Sequence, residues 1–147
     1  MFENIRCCKN CFLCNNQPPL LSSTPDAPPV IMVVGTSAKQ VKSPTEIPLD
    51  ESTRSGKIVS RLEAVSIKYG YSIYRTNLVK CPPMNDVNKL RNPTVEEIAA
   101  CIGNLFQEIE LLTPAIVLLL GKITVSAMEC KLGTKFGDYS GCTFTTQ

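Results

Sequence analysis

The chain has 147 residues, which is enough for one domain with a hydrophobic core. Hydrophobic residues make up 44% and charged residues 19%, a balance that excludes an intrinsically disordered chain. The formal net charge is only +2, so affinity for nucleic acid would have to come from a local basic patch. The chain has no histidine, which excludes histidine-based acid–base catalysis and every zinc site with a histidine ligand.

Eight cysteines are more than packing requires. The N-terminus lacks the apolar core of a signal peptide, and no apolar run reaches the ~18 residues of a transmembrane helix. We therefore expect a cytoplasmic protein that does not associate with membranes. In that reducing compartment cysteines favour a metal or cluster site over disulfides. Cys130 and Cys142 are expected to be ordinary small hydrophobic side chains.

Cysteines are concentrated in residues 7–14, where two C-x-x-C pairs overlap, Cys8 with Cys11 and Cys11 with Cys14. A single pair of this kind is typical of redox sites and of metal sites alike. Residues 15–29 contain five prolines and show no periodicity, which predicts an irregular loop between the cysteines and the first strand.

Residues 30–35 are an apolar run that ends at Gly35, which is typical of a strand buried on both faces of a parallel sheet. Thr36, Ser37 and Lys39 follow at the carboxyl edge of that strand, where open α/β sheets bind ligands. This edge is therefore the first candidate for a binding site.

A helix is predicted over residues 57–65 from an apolar stripe at helical spacing. The stripe consists of Ile58, Leu62 and Val65. Thr53 or Ser55 can cap the start of the helix, and Gly56 lets a backbone approach closely. The N-terminus of this helix suits a phosphate, although an ordinary capped helix accounts for the same residues.

The strongest helix signal is a capping box of Thr94 and Glu97, followed by apolar residues at helical spacing up to Pro114. Cys101 lies beside this stripe and is expected to face the interior. Strands are predicted at residues 71–77, 115–120 and 142–146, and a short helix at residues 125–131. The alternation indicates one α/β domain over residues 1–147, with three layers (αβα) and a central, mostly parallel four-stranded sheet.

Six motifs follow one another in a fixed order. They are C-x-x-C-x-L at residues 8–13, a glycine at 35, S-G-K at 55–57, T-N-x-V-K-C-x-P at 76–83, N-P-T-x-x-E-I-x-x-C at 92–101 and P-x-I-V-x-L-L-G at 114–121. In this order they resemble the uracil-DNA glycosylase superfamily, in its iron–sulfur-containing branch. The resemblance covers nearly the whole chain, from about residue 8 to residue 128.

The resemblance implies a monomeric DNA repair enzyme that hydrolyses the N-glycosidic bond of uracil or another deaminated base in DNA. It also implies a structural [4Fe–4S] cluster. The implied ligands are Cys8, Cys11, Cys81 and Cys101, with Cys14 as an alternative. A zinc ion bound by four cysteines stays open as the alternative cofactor.

The resemblance also assigns roles around the carboxyl edge of the sheet. Asn77 matches the residue that reads the base edge, and Gly35, Thr36 and Ser37 match the loop beside the base. Weaker candidates for contacts with DNA phosphates are Ser55, Gly56, Lys39 and Lys80.

The sequence departs from the family at the catalytic positions. Thr36 stands where the family has the acid that activates water, and Asp50 and Glu51 are the weak candidates for a replacement carboxylate. Glu51 also falls near a position where the family has a base-stacking phenylalanine. The His-Pro-Ser loop is absent, which implies a truncated or divergent member. A catalytically inactive iron–sulfur or DNA-binding relative and a zinc-binding protein therefore stay open beside the enzyme.

Overall fold

The computed structural model describes residues 1–137. Its elements in chain order are α1 (Glu3–Arg6), a 3-10 turn (Phe12–Asn15), β1 (Val30–Ser37), α2 (Arg54–Lys68), β2 (Ser72–Val79), α3 (Val95–Leu112), β3 (Ile116–Leu119) and α4 (Lys122–Leu132). The α/β class is confirmed, because strands and helices alternate after the N-terminal segment. The helix α1 and the 3-10 turn were not predicted, since four residues are too few to show a periodicity.

The three strands form one parallel sheet in the order β2-β1-β3. The described sheet thus has three strands rather than the predicted four, and the residues predicted for the fourth, 142–146, lie outside the described residues. The register sets Gly35 of β1 beside Asn77 of β2. Both residues therefore reach the same carboxyl edge.

Helices cover both faces of this sheet, which confirms the three layers. On one face, Met32 and Tyr74 belong to a core shared with α1, α3 and α4. On the other face, Ile31 and Val33 pack with Val59 of α2. Consecutive residues of β1 enter different cores because the side chains of a strand point alternately to its two faces.

The capping box of α3 is confirmed. The Glu97 amide donates to the Thr94 hydroxyl at 3.2 Å, and the Thr94 amide donates to the Glu97 carboxylate at 2.8 Å. Arg91 holds the same carboxylate with two hydrogen bonds, of 2.9 and 2.7 Å. The helix ends before Thr113, which is left-handed with φ 43° and precedes Pro114.

The apolar stripe predicted for α2 is partly wrong, because Ile58 is 62% exposed and Val65 52% exposed. The buried residues of the helix are Gly56, Val59 and Ser66. A Cβ on Gly56 would lie 1.8 Å from the carbonyl oxygen of Asp50, so this backbone contact fixes how the helix is rotated. The rotation buries the side that contains Gly56 and leaves most of the apolar stripe in solvent.

The N-terminal segment lies along the outer edge of β2. The Leu20 amide donates to the Lys80 carbonyl at 2.8 Å, and the Ser22 hydroxyl donates to the Arg75 carbonyl at 2.6 Å. This contact brings the N-terminal cysteines close to the end of β2 and protects the edge strand. Within residues 1–137, no helix has both the length and the apolar character that crossing a membrane requires.

Candidate functional site

A cleft with about 870 Å³ of empty space, continuous with solvent, opens at the carboxyl edge of the sheet. Six of the residues predicted to bind a base or a phosphate line it: Gly35, Thr36, Ser37, Lys39, Ser55 and Asn77. They come from β1, β2, the segment after β1 and the start of α2. The topology thus brings together side chains that are up to 42 positions apart in the sequence, from residue 35 to residue 77.

Asn77 is the most buried of the polar residues that line this cleft. It is 2% exposed, and among the residues that the structure describes its side-chain amide forms no hydrogen bond. A Cβ on Gly35 would lie 2.5 Å from Asn77 Oδ1, so any other residue at position 35 would displace the amide from this place. An unpaired amide offers both a donor and an acceptor to a ligand.

Thr36 contributes a hydroxyl that is tied to the neighbouring helix. Thr36 Oγ1 and Thr124 Oγ1 lie 3.1 Å apart, and Thr124 of α4 is fully buried. No Asp or Glu of the described residues is among those that line the cleft. The hydroxyls of Thr36 and Ser37 and the amide of Asn77 are therefore its main polar groups on the sheet side.

Asp50 and Glu51, the predicted carboxylates, lie outside the lining of the cleft. Asp50 belongs to the turn that starts α2: its carboxylate accepts from the Ser52 amide at 2.9 Å, and its carbonyl accepts from the Thr53 hydroxyl at 2.8 Å. Hydrogen bonds with Ser52 lower the pKa of Asp50, which keeps it ionised in this capping role. Glu51 points into solvent.

Two of the residues predicted to contact phosphates, Gly56 and Lys80, are buried and have partners within the chain. The Gly56 amide already donates to the Thr53 hydroxyl at 3.0 Å and is buried under the Leu49–Asp50 backbone. Lys80 is fully buried and ion-paired with Glu108, so its ammonium has no access to a phosphate.

The other two candidate phosphate contacts stay at the cleft. Ser55 is exposed at the start of α2. The Lys39 ammonium is held by Glu46 at 2.5 Å and by the Ser52 hydroxyl at 2.6 Å. A phosphate at this rim would therefore meet a lysine that already has a counterion.

Leu49 is a cleft residue that the sequence pattern did not indicate. Its Cδ2 lies 2.8 Å from where a Cβ of Gly35 would be, so it forms an apolar wall beside Asn77. Its backbone is left-handed, with φ 52°, and its carbonyl accepts from Arg75 at 2.8 Å. A Glu63–Arg75 ion pair of 2.5 Å holds the arginine in turn. Such strain in a leucine is typical of functional sites.

A second cavity, with about 280 Å³ of empty space that includes open solvent, is lined by five cysteines. They are Cys8, Cys11, Cys14, Cys81 and Cys101, which comprise the four predicted ligands and the predicted alternative. Cys101 faces the interior, as expected, whereas Cys130 is exposed rather than part of a core. Among the described residues, no three cysteine or carboxylate side chains are grouped as ligands of a metal ion.

The surroundings of the cysteine cavity suit thiolates. The Lys80 amide donates to Cys101 Sγ at 3.3 Å, and the Asn104 side chain donates to Cys8 Sγ at 3.4 Å. Burial raises the pKa of the Cys81 thiol to about 12, and the neighbouring cysteines add to this effect. A metal centre would offset the cost of ionising such a thiol, because metal coordination deprotonates thiols outright. The donor set and its hydrogen bonds therefore fit a thiolate-bound metal or iron–sulfur centre.

The domain consists of a parallel sheet between two layers of helices. A cleft at the carboxyl edge of the sheet and a cysteine cavity beside it define a ligand-binding α/β domain with a candidate metal centre. Residues 31–145 match the family model of the uracil DNA glycosylase superfamily. The chain therefore belongs to this superfamily.

Curated relatives bear the name Type-4 uracil-DNA glycosylase. The protein of Thermotoga maritima is 29% identical over 124 residues, which cover 84% of this chain and 62% of the relative. The protein of Pyrobaculum aerophilum is 33% identical over 57% of this chain and 42% of the relative. That of Saccharolobus solfataricus is 36% identical over 55% of this chain and 36% of the relative. The chain thus spans less than two thirds of each relative, and the matches confirm the resemblance inferred from the motifs.

Proposed function

We propose that this chain is a uracil-DNA glycosylase-like DNA repair protein, which takes uracil or another deaminated base of DNA into the cleft and hydrolyses its N-glycosidic bond. The observation that carries the proposal is the buried, unpartnered amide of Asn77 beside Gly35. The names of the relatives supply the substrate class. A base can reach such a cleft only by leaving the stack of the duplex.

Held in one orientation, the amide of Asn77 can separate a deaminated base from its parent. Uracil presents a carbonyl oxygen and a ring N–H, which the amide meets with its donor and its acceptor. Cytosine presents an amino group and a bare ring nitrogen at the same positions, which the amide meets only when it is turned end for end. Leu49 offers an apolar surface to the face of the bound ring.

Breaking the glycosidic bond develops negative charge on the base and positive charge on the sugar. Donors aimed at the base stabilise that charge in the transition state. Asn77 and the hydroxyls of Thr36 and Ser37 are the groups that this chain offers for that purpose. A second candidate function is base recognition without hydrolysis, and the observation in its favour is that no carboxylate of the described residues lines the cleft.

For the cysteine cavity, we propose a [4Fe–4S] cluster held by Cys8, Cys11, Cys81 and Cys101, with Cys14 as the alternative N-terminal ligand and zinc as the alternative metal. The support is the convergence of the thiols and the N–H groups directed at two of them. A bound cluster would act as a structural cross-link between the N-terminal segment, the end of β2 and α3.

The test is incubation with an oligonucleotide that contains one 2′-deoxyuridine, followed by alkali, which cuts the strand wherever a base has been lost. We expect cleavage with the wild type, a large loss with Asn77→Ala, and no loss with Asn92→Ala, which changes an exposed asparagine outside the cleft. Binding that prefers uracil without cleavage would establish the second candidate. If the protein showed neither cleavage nor a preference for uracil, both candidate functions would be overturned.

A further inference from the structure

An ion pair between Lys80 and Glu108 lies fully inside the molecule, next to the base-reading residue. The side chain of Lys80 is 1% exposed and that of Glu108 is 0% exposed. The Lys80 ammonium donates to the Thr76 hydroxyl at 2.7 Å, to the main-chain carbonyl of Asn77 at 2.6 Å, and to the Glu108 carboxylate. All three of its N–H groups are thus satisfied, as the burial of a charge requires.

The remaining contacts of Glu108 connect α3 to β2. Its carboxylate accepts from the Tyr74 hydroxyl at 2.8 Å and from the Thr76 hydroxyl at 3.0 Å. Because strand side chains alternate, Thr76 faces α3 while the side chain of Asn77 faces the opposite side, where the cleft lies. The charged network therefore holds the strand from the side opposite to the cleft.

The orientation of the Asn77 amide depends on its main chain. Among the described residues nothing bonds the side-chain amide itself, and Gly35 and Leu49 lie beside it. The Asn77 carbonyl is held by a charged donor, and hydrogen bonds from charged groups are stronger than those between neutral groups.

We propose that the Lys80–Glu108 pair is a positioning device that fixes the main chain of Asn77 and so aims its amide into the cleft. The consequence for base selectivity rests on the proposed function, whereas the positioning is a property of the chain that can be observed alone. Lys80 and Glu108 are thus positioning residues that act through Asn77 without touching the base.

The test uses the double variant Lys80→Met/Glu108→Gln, which removes both charges and the contact to the Asn77 carbonyl but leaves partners for Tyr74 and Thr76. The matched control is Tyr74→Phe, which removes a bond to the same carboxylate and none to Asn77. The first readout is the side-chain amide signal of Asn77 in ¹H–¹⁵N spectra, assigned by its loss in Asn77→Ala. The second is the ratio of affinities for two single-stranded oligonucleotides that differ only in one uracil or cytosine, so that no base pair has to open.

We expect the double variant to keep a folded spectrum, to shift or broaden the Asn77 signal, and to lose about tenfold in selectivity, the factor for one weakened hydrogen bond. Tyr74→Phe should change neither readout. In the Asn77→Ala background the double substitution should have no further effect on selectivity.

An unchanged Asn77 signal in a folded double variant would overturn the proposal, as would an equal change in Tyr74→Phe. If the double variant does not fold, Lys80→Arg replaces it, because arginine keeps the charge but not the geometry of the three hydrogen bonds of Lys80. The same two readouts, with the same expected and contradicting outcomes, then apply to Lys80→Arg. A shifted signal in a protein whose wild type does not prefer uracil would uphold the positioning and reject the proposed function.

Discussion

At the scale of single residues, Gly35 and Asn77 form one unit, because the glycine provides the space that the amide occupies. A methyl group at position 35 would lie 2.5 Å from Asn77 Oδ1 and 2.8 Å from Leu49 Cδ2. We expect Gly35→Ala to displace the amide, to weaken binding of uracil-containing DNA by about tenfold or more, and to destabilise the fold by about 1–3 kcal/mol. Titration with labelled duplex and urea unfolding measure the two effects.

The control for this change is Gly103→Ala. A Cβ at Gly103, on the exposed side of α3, would meet no atom within 4 Å. Since alanine is the better helix former, we expect a gain of up to about 1 kcal/mol and unchanged DNA binding. Wild-type binding by Gly35→Ala would show that the amide does not need the space beside it.

The sequence allowed Asn77 to be singled out only through the resemblance of residues 76–83 to the superfamily motif, and it did not indicate the supporting residues. An asparagine at the end of a strand is by itself typical of an ordinary turn. A lysine without an acidic neighbour in the sequence, such as Lys80, is expected to be exposed to solvent. Its partner, Glu108, lies 28 positions further on, so no local pattern indicates the ion pair. Leu49 depends on a left-handed backbone and on Arg75, which no local pattern records.

At the scale of elements, the start of α3 depends on an ionised Glu97. Its hydrogen bonds with Arg91 lower the pKa of Glu97, burial opposes this in part, and the Thr94 amide adds to it. Because the folded-state pKa is below the ordinary value of 4.5, this contribution to stability is complete above pH 4.5. It is lost as the pH falls through the folded-state value.

We therefore expect Glu97→Gln to lower the melting temperature at neutral pH, and the difference from the wild type to shrink as the pH falls below about 4.5. Thermal unfolding between neutral and acidic pH measures this. Glu96→Gln is the control, because Glu96 shares the first turn and, within residues 1–137, has no ion pair. A difference that stays constant with pH would contradict the assigned role.

Helix α2 shows why the existence of an element was predictable while its orientation was not. The apolar spacing and Thr53 predicted a capped helix, and the structure contains both the helix and the Thr53 cap. The buried face was decided by Gly56, whose contact with the Asp50 carbonyl joins two segments. The spacing of apolar residues describes one helix alone, so it does not indicate which other segment the helix contacts.

At the scale of the whole molecule, the cysteine cavity joins three separate parts of the chain. We expect the anaerobically purified protein to contain iron and sulfide, and Cys81→Ser or Cys101→Ser to lose them together with much of the stability. Iron, zinc and sulfide analysis with visible absorbance measures this. Cys130→Ser, at an exposed site outside the cavity, should behave as the wild type.

Serine substitutions at Cys8, Cys11 and Cys14 would identify the N-terminal ligands. We expect the cluster to be lost from the first two variants and kept in the third. A protein with zinc in place of iron, or a cluster that survives Cys81→Ser, would contradict the proposed centre.

At this scale the sequence predicted the features that follow from the order of strands and helices. The alternation of strands and helices predicted a parallel sheet, and the cysteine motifs predicted one shared site. The convergence of five cysteines on one cavity required the N-terminal segment to lie along β2. Segment 15–29 has no periodicity, so its path was not readable from the sequence.

The most direct test of the proposed base recognition is the affinity of the protein for two single-stranded oligonucleotides that differ only in one uracil or cytosine. Neither strand has a base pair to break, so the two ligands differ only at the base edge and the comparison isolates the amide of Asn77. We predict that the wild type prefers uracil by about tenfold or more, the factor for an unpaired buried group, and that Asn77→Ala binds both alike. Equal binding of the two oligonucleotides by the wild type would contradict the claim that this cleft reads a deaminated base.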